Sequence, residues 1–486
     1  MYNDINLVTE MIDRLQTLTN EELTKIHNAS MDILLNTGIC FNSIAATNLF
    51  KTHGFRTEGE KVFFTEEEIQ TALKSTVSKF KLQSRNPELN ISVGEDDYIC
   101  LPTGGAPNIA MANGKQRRAT LEDYITCCKL VHTSKALAMG GYMMVQPNDV
   151  PADTAHLDMM ANYLIYCDKP VFGASGSGQT IIDSLEMAGF VWGGKEQLKN
   201  KPVMAAIVNA MSPLQYSEEQ TDAIVEIAKY GQPVVVTSMI LAGASGPVTL
   251  PGLLALQNAE ILAGITLVQL INPGTPVVYG STSSQMDMRT STSPVAASET
   301  VIIALASIQL ARFYNLPSRT GGSLTDAHMP DAQALAEGSL MLSTVLRSGV
   351  NLVYHSCGQM GSYISMSFEK WLIDEEMICN FRRIMKPLSI TEETIDIETI
   401  KNVGIGGEYL THPTTYQQFK NLSQPHLFNR KDYEKWSSEG QKSVDQVASQ
   451  ELEKRLDLYQ KPALDPQIEK SILDYVKQRK TRKSVQ

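Results

Sequence analysis

Eight times between residues 97 and 390 the chain repeats one order: an apolar or β-branched run, a cluster of Gly, Ser, Thr, Asn or Pro, then a helical pattern. The runs are Tyr98–Leu101, Met139–Val145, Pro170–Phe172, Val203–Val208, Val234–Thr237, Val277–Tyr279, Pro317–Arg319 and Leu352–Tyr354. Amphipathic stretches such as Ser217–Tyr230 and Ser298–Tyr314 lie between them. Strands alternating with helices mean parallel βαβ units. Eight of them within about 290 residues favour a closed (β/α)₈ TIM barrel over the competing doubly wound sheet. The Tyr98–Leu101 run keeps a second reading as part of a hairpin at the barrel mouth.

The two ends of these strands differ. Several runs start at or after a proline (Pro202, Pro233, Pro276, Pro317), whereas polar clusters follow the strands. These clusters include Thr103-Gly104-Gly105, Gln146-Pro147-Asn148, Asn209-Ala-Met-Ser212, Thr320-Gly321-Gly322 and His355-Ser-Cys357. In such barrels the loops after the strands carry the chemistry. One end of one barrel is therefore the expected active site.

The sequence divides into an N-terminal helical lead-in with short strands (1–96), the barrel (97–390) and a helical C-terminal region (391–486). In the lead-in, Thr19 opens a helical pattern closed by Gly38, and Thr65 with Glu68 forms a capping box. In the C-terminal region, helices are expected at Asp396–Lys401, Pro413–Phe419, Asp432–Glu453 and Pro466–Arg479, with the basic end Lys477–Lys483 as a frayed tail.

A net charge of −11 argues against nucleic acid as the main partner. Seven scattered cysteines without a CxxC pair suggest neither a disulfide framework nor a zinc ribbon. The acidic, amphipathic start lacks the features of a secretory signal. The longest apolar stretch, near Ile261–Ile271, is interrupted by Gly264, Thr266 and Gln269 and is too short and polar to span a bilayer. A cytoplasmic protein is the expectation.

Among chemical candidates, His355 stands first because it follows the last strand. His355-x-Cys357 is similar to the ligand pairs of zinc-dependent methyltransferases, but the only later cysteine, Cys379, follows too closely to end another strand. Cys357 reads as a packing residue, and no directly bound metal is expected. Gly173-Ala-Ser175-Gly176-Ser-Gly178 lacks the Lys-Ser/Thr of a P-loop and reads as a tight turn lining a pocket. The hydroxyl-rich loop Ser281–Ser293 contains Ser283, Gln285, Asp287 and Arg289 and reads as a binding loop. Aromatic residues near the strand ends (Tyr98, Tyr142, Phe172, Tyr279, Tyr354, then Tyr363 and Phe368) are candidate walls for a quaternary ammonium, recognised by cation–π contact.

Several linked segments then resemble one family. They are Pro102-Thr-Gly-Gly-Ala-Pro107, Arg117-Arg-Ala-Thr-Leu-Glu-Asp123, Thr320-Gly-Gly-Ser-Leu-Thr-Asp-Ala327 with Asp331-Ala-Gln333, and His355 followed by Ser367-x-Glu-Lys-x-x-x-Asp374. They resemble the trimethylamine:corrinoid methyltransferases. Founding members carry pyrrolysine; this sequence holds only the twenty standard residues, which is similar to the branch acting on betaines. The resemblance implies methyl transfer from a quaternary amine (glycine betaine, proline betaine, carnitine or butyrobetaine) to the Co(I) corrinoid of a separate corrinoid protein. A homo-oligomer is a further expectation.

Under that reading Arg319, Arg289 or His355 would hold the substrate carboxylate, with His355 the catalytic or orienting contact. The glycines and serines of the loops (Gly104, Gly105, Ser175, Gly176, Ser281, Ser283, Gly321, Gly322) would face the corrinoid. The alternatives are a non-catalytic barrel that binds a quaternary amine and a zinc-dependent methyltransferase using His355 and Cys357.

Overall fold

Short β-branched runs with a proline at their start and a glycine or serine at their end become the strands of a parallel barrel. The computed structural model describes residues 14–483 apart from 175, 200, 423 and 424. Its strands are β1 (Ile99–Cys100), β2 (Gly140–Gly141), β3 (Val171–Phe172) and β4 (Met204–Asn209). They continue as β5 (Val234–Ser238), β6 (Val277–Ser281), β7 (Ser318–Gly321) and β8 (Leu352–Tyr354). Each pairs in parallel with the next from β2 through β8, and β8 pairs with β1 through Leu352 with Ile99 and Val353 with Cys100. The remaining seam, between β1 and β2, is bridged by Ala138 N donating to Cys100 O at 3.2 Å and Gly105 N donating to Met143 O at 2.5 Å. The barrel is closed, and Tyr98–Leu101 contributes a barrel strand, not a mouth hairpin.

The helical layer comprises α1 (Leu121–Thr133), α2 (Ala155–Tyr166), α3 (Gly178–Trp192), α4 (Glu218–Lys229), α5 (Leu250–Ile271), α6 (Ser298–Phe313), α7 (Ala332–Ser348) and α8 (Phe368–Met385). Caps mark where the mouth loops end. Thr120, Ser177 and Ser217 form capping boxes, while Asp331 and Ser367 accept from the first turns of α7 and α8. The Ile261–Ile271 stretch is the second half of α5. At 22 residues α5 is long and apolar enough to cross a membrane, yet 89% of its most apolar window is buried within the protein. Its all-round apolarity reflects a core position.

The lead-in seals the base. Strands Lys79–Leu82 and Ile91–Gly94 form an antiparallel hairpin whose Phe80, Leu82, Ile91 and Val93 pack with Ile99, Val235, Val278 and Leu352. That apolar plug fills the lower barrel. The helix Asn20–Asp32 starts at the Thr19 capping box and lies on α5, with Ser30 Oγ donating to Ala255 O at 2.9 Å. The Thr65 capping box is also present, ahead of the helix Glu66–Ser75.

Two C-terminal expectations are corrected. The Asp432–Glu453 helix is two helices, Tyr433–Ser438 and Val444–Asp457, because Gly440 and Gln441 take positive φ of 98° and 53° between them. The basic end is a docked helix, Pro466–Lys483, not a frayed tail. Arg479 Nε meets Asp183 at 2.8 Å and Lys480 Nζ meets Asp158 at 2.6 Å, tying it to α3 and α2.

Candidate active site

Above the plug, strand ends and mouth loops line an open cavity of about 300 Å³. Of the residues singled out from the sequence, the fold brings eight to its wall: Gly104 and Gly105 after β1, Tyr142 after β2, Phe172 on β3, Arg319 on β7, Tyr354 and His355 at the end of β8, and Tyr363 beyond it. Met143, Ile207, Asn209, Met239 and Thr282 complete the lining.

The aromatic rings form a continuous wall. Phe172 and Tyr354 have centroids 5.4 Å apart, Tyr354 stacks on His355 at 4.2 Å, and His355 meets Tyr363 at 4.9 Å. Gly104 permits this packing: a Cβ there would sit 2.2 Å from the Tyr354 hydroxyl and 3.2 Å from the His355 ring.

Arg319 is the charge of the site. Its side chain points into the barrel and the residue is 3% exposed. Nη1 donates to Ser281 O at 3.1 Å, the guanidinium carbon lies 4.9 Å from the Tyr354 ring centroid, and Nε is buried without a partner. No carboxylate pairs with Arg319 among the described residues. Burial lowers its pKa, with Tyr363 and Tyr354 opposing, but a guanidinium stays protonated in proteins. A buried, uncompensated cation is costly. An anion beside it would offset that cost.

His355 is held in a left-handed conformation (φ 56°) by bonds on both sides, its N donating to Pro102 O at 3.1 Å and its O accepting from Ser323 N at 2.9 Å. Burial, then the Arg319 charge, push its pKa well below the ordinary imidazole range, against the Gln359 contact. The ring is neutral. Gln359 donates through Nε2 to Ser365 O, so its Oε1 faces His355 Nδ1 at 3.0 Å. That oxygen also accepts from Thr103 Oγ1 at 2.6 Å. The proton accordingly sits on Nδ1, and Nε2 keeps a lone pair. A lone pair repels a carboxylate, so this geometry disfavours His355 as the anion holder and makes it part of the wall.

The Lys370 and Asp374 of the Ser367–Asp374 motif lie fully buried behind this loop as an ion pair at 2.7 Å. Asp374 accepts from Ser323 Oγ and Gly358 N at 2.8 Å each, which joins the loops after β7 and β8. Glu260 on α5 does the same for the loops after β4 and β5. It accepts from Ser212 Oγ and Leu214 N at 2.8 Å and from Ser238 Oγ at 2.5 Å. An acidic residue inside an apolar helix was the signal that sequence reading passed over.

The other candidates lie elsewhere. Tyr98 precedes β1 and so sits at the base, near Arg382. Tyr279 points outward from β6 and donates to Asn258 Oδ1 of α5 at 3.1 Å. Phe368 packs in the core at the start of α8. Gln285 pairs through its backbone with Ala242 on the rim. Arg289 is 92% exposed beside Asp287.

Ser281 bonds Gln257 through Oγ, while its carbonyl serves Arg319. The Ser283 hydroxyl accepts from Ile240 N at 2.9 Å. Gly321 and Gly322 are enclosed by Leu324, Val353 and Ser356, leaving no face for a corrinoid. Gly176 is exposed outside the cavity wall, and Ser175 lies outside the described residues. The zinc reading lacks ligands. Burial pushes the Cys357 thiol well above its ordinary range, and no three His, Cys, Asp or Glu side chains are grouped for a metal among the described residues.

A closed parallel barrel with an aromatic-walled pocket open at the strand ends defines a small-molecule enzyme of the TIM-barrel class. Residues 1–484 match the trimethylamine methyltransferase (MTTB) family, and the chain belongs to it. It is 37% identical to the glycine betaine methyltransferase of Desulfitobacterium hafniense over 97% of this chain and 98% of that one. It is 30% identical to the trimethylamine methyltransferase MttB of Methanosarcina thermophila, over 94% and 96%. In fold it is similar to the monomethylamine methyltransferase of Methanosarcina barkeri, with a TM-score of 0.54 at 13% identity over 92% of this chain and 90% of that chain. The protein is a methyltransferase.

Proposed function

We propose that this enzyme transfers a methyl group from a betaine, a quaternary amine that carries a carboxylate, to the Co(I) corrinoid of a separate protein. The observation that carries the reading is Arg319, a buried guanidinium with an unpartnered Nε and no carboxylate beside it. Trimethylamine would leave that charge uncompensated. A betaine supplies the missing anion and offers its quaternary ammonium to the aromatic wall of Phe172, Tyr142, Tyr354 and Tyr363. The glycine betaine methyltransferase among the relatives supports the same substrate class.

The chemistry asks little of acids or bases. The N–CH₃ bond breaks, its electron pair stays on nitrogen as the neutral amine leaves, and a Co–CH₃ bond forms as Co(I) becomes methyl-Co(III). The protein must orient one methyl toward the opening and exclude water. Anchored through Arg319 and stacked on the rings, the zwitterion can present only its ammonium end to the mouth. A corrin macrocycle is far larger than a cavity of about 300 Å³, so the acceptor meets the methyl at the opening.

The test mixes the protein with reduced Co(I) cobalamin and glycine betaine, proline betaine, carnitine or butyrobetaine while the cobalt spectrum is followed. Methylcobalamin should form with at least one of them and not with trimethylamine. Turnover of another methyl donor with silence toward every quaternary amine would refute the substrate class.

A further inference from the structure

Three consecutive residues on the loop after β8 take the left-handed conformation: Gly361, Ser362 and Tyr363, with φ of 53°, 53° and 75°. Glycine visits that region freely, but a tyrosine there is rare, because its Cβ crowds the following carbonyl. Such a turn persists only where the surrounding bonds over-determine it. Its flanks are fixed as an antiparallel pair, Gln359 with Met366 and Met360 with Ser365. Backbone bonds hold the tip to the loop after β7, Gly361 N donating to Ala327 O at 2.9 Å and Ser362 N to Thr325 O at 3.1 Å. A side chain adds a further hold: Ser362 Oγ donates to Asp326 Oδ1 at 2.5 Å.

Asp326 is a junction. Besides Ser362 it accepts from Val295 N at 2.9 Å and Ala296 N at 3.1 Å, on the loop after β6. Its own N donates to Glu337 Oε2 at 3.0 Å, and that oxygen also accepts from Thr325 Oγ1 at 2.6 Å. Glu337 lies on α7, so the backbone that carries Asp326 is anchored to a helix. One carboxylate thus joins the loops after β6, β7 and β8. The residue it grips is followed directly by Tyr363, whose ring lines the pocket 4.9 Å from His355. Burial pushes the Tyr363 hydroxyl up to about 12, with Arg319 opposing and Asp326 adding, so the ring stays neutral.

We propose that Asp326 is a positioning residue, a latch that sets the Tyr363 ring against the substrate's quaternary ammonium; the proposal rests on the betaine reading above. Asp326 is not part of the cavity wall. It acts through Ser362 and the strained turn. Without the latch, a left-handed tyrosine gains by relaxing to an ordinary negative φ, and that rotation carries the ring with it. Cation–π attraction needs the cation over the ring face within about 6 Å of its centroid, so a swung ring loses the contact. The strain and the tie therefore form one device, which fixes an aromatic face where an unlatched loop would leave it free.

The experiment places Asp326→Ala and Ser362→Ala each alone and each in a Tyr363→Ala background. Calorimetry uses whichever of the four betaines named above wild type binds most tightly, and kinetics use free Co(I) cobalamin as acceptor. Each single variant should bind the betaine at least fivefold more weakly, with kcat at saturating betaine within threefold of wild type. Neither should weaken binding further, beyond twofold, once Tyr363 is alanine. Asp326→Asn keeps one oxygen for Ser362 and Val295 and should recover most of the affinity. Amide hydrogen exchange at residues 361–364 should quicken in both latch variants, with or without ligand. Unchanged betaine affinity in both variants, or an equal loss with and without the Tyr363 ring, would overturn the latch while leaving the substrate reading intact. Failure of wild type to bind any of the four betaines would remove the substrate reading, and the role of Asp326 with it. Should Asp326→Ala misfold, Ser362→Ala decides, because it leaves the Val295 and Ala296 bonds in place.

Discussion

The two ends of the barrel differ in how completely the charges and donors of their cations are satisfied. At the base, Asp97 meets Lys79 at 2.9 Å, His132 meets Asp168 at 2.9 Å, and Arg312 shares Asp96 with Arg14. Asn351 ties this end together: its Oδ1 accepts from Ser318 N, and its Nδ2 donates to the carbonyls of Glu95 and Asp97. At the mouth, Arg319 has a backbone carbonyl and a ring face but no anion, and His355 is held neutral beside it. The base also buries cations without an anion among the described residues, but it satisfies their donors: Lys169 Nζ donates to the carbonyls of Ser134 and Leu137 at 2.6 and 2.7 Å, and Arg382 to those of Lys135 and Ala136 at 2.8 and 2.6 Å. The mouth keeps a cation with a donor unsatisfied, a destabilising feature that, in the proposed reading, the substrate carboxylate offsets.

The largest break in that contrast should come from Arg319→Leu. Loss of one partner of a buried charge pair costs about 2–5 kcal/mol, roughly 30- to several-thousand-fold in kcat/KM for a betaine. The melting temperature of the empty protein should hold or rise, because a buried cation is removed. Steady-state kinetics and calorimetry read the two effects separately. Arg319→Lys should rescue little, since an ammonium lacks the fork that grips a carboxylate.

Asn351→Ala is the mirror case at the base. It orphans Ser318 N and the Asp97 carbonyl, while Glu95 O keeps its bond from Arg312, and should cost about 1–3 kcal/mol of stability. Urea unfolding should show the loss, while the folded fraction keeps wild-type kinetics within a few-fold.

His355→Ala is expected to be smaller than Arg319→Leu. Removing a ring packed between Tyr354 and Tyr363 should raise the KM for betaine about tenfold through lost wall area, with a lesser effect on kcat. Because the neutral ring has its pKa far below the usual range, wild-type activity should show no His355 titration between about pH 6.5 and 9. A titration there that vanished in the variant would restore a proton-transfer role.

The smallest effect concerns His132. Burial opposes its charge, but the Asp168 bond and neighbouring groups raise its pKa to about 9. A group whose pKa is raised on folding stabilises fully below the unfolded value and loses that contribution as pH climbs through the folded one. The wild-type advantage over His132→Gln in melting temperature should therefore fade between about pH 6.5 and 9. Comparison with the variant is needed because Lys169, pushed down to about 8 by burial, makes stability rise with pH from about 8 to about 10.4, which overlaps the upper part of that window.

The barrel was legible because each strand is an apolar run bounded by proline and by small polar residues, and both signals are local. The phase of the strands was not. In Val277-Val-Tyr-Gly-Ser281 both faces are buried, so nothing in the alternation says that Val278 faces the interior and Tyr279 the helices. The same blindness placed Tyr98 at the mouth. Arg319 and Arg289 were equal candidates for a carboxylate, because only burial, a long-range property, separates a half-free cation inside the pocket from a solvated one on a loop. The docking of the last helix depends on Asp158 and Asp183, about 300 residues away, which no local pattern reveals.

The central claim is that Arg319 selects a carboxylate. Choline tests it most directly, as it offers the same quaternary ammonium with a hydroxyl in place of the anion. Calorimetric titration of wild type and Arg319→Leu with glycine betaine and with choline gives four affinities. Wild type should bind glycine betaine at least tenfold more tightly than choline, and Arg319→Leu should erase that preference. Equal binding of both ligands by wild type, or a preference that survives in the variant, would contradict it.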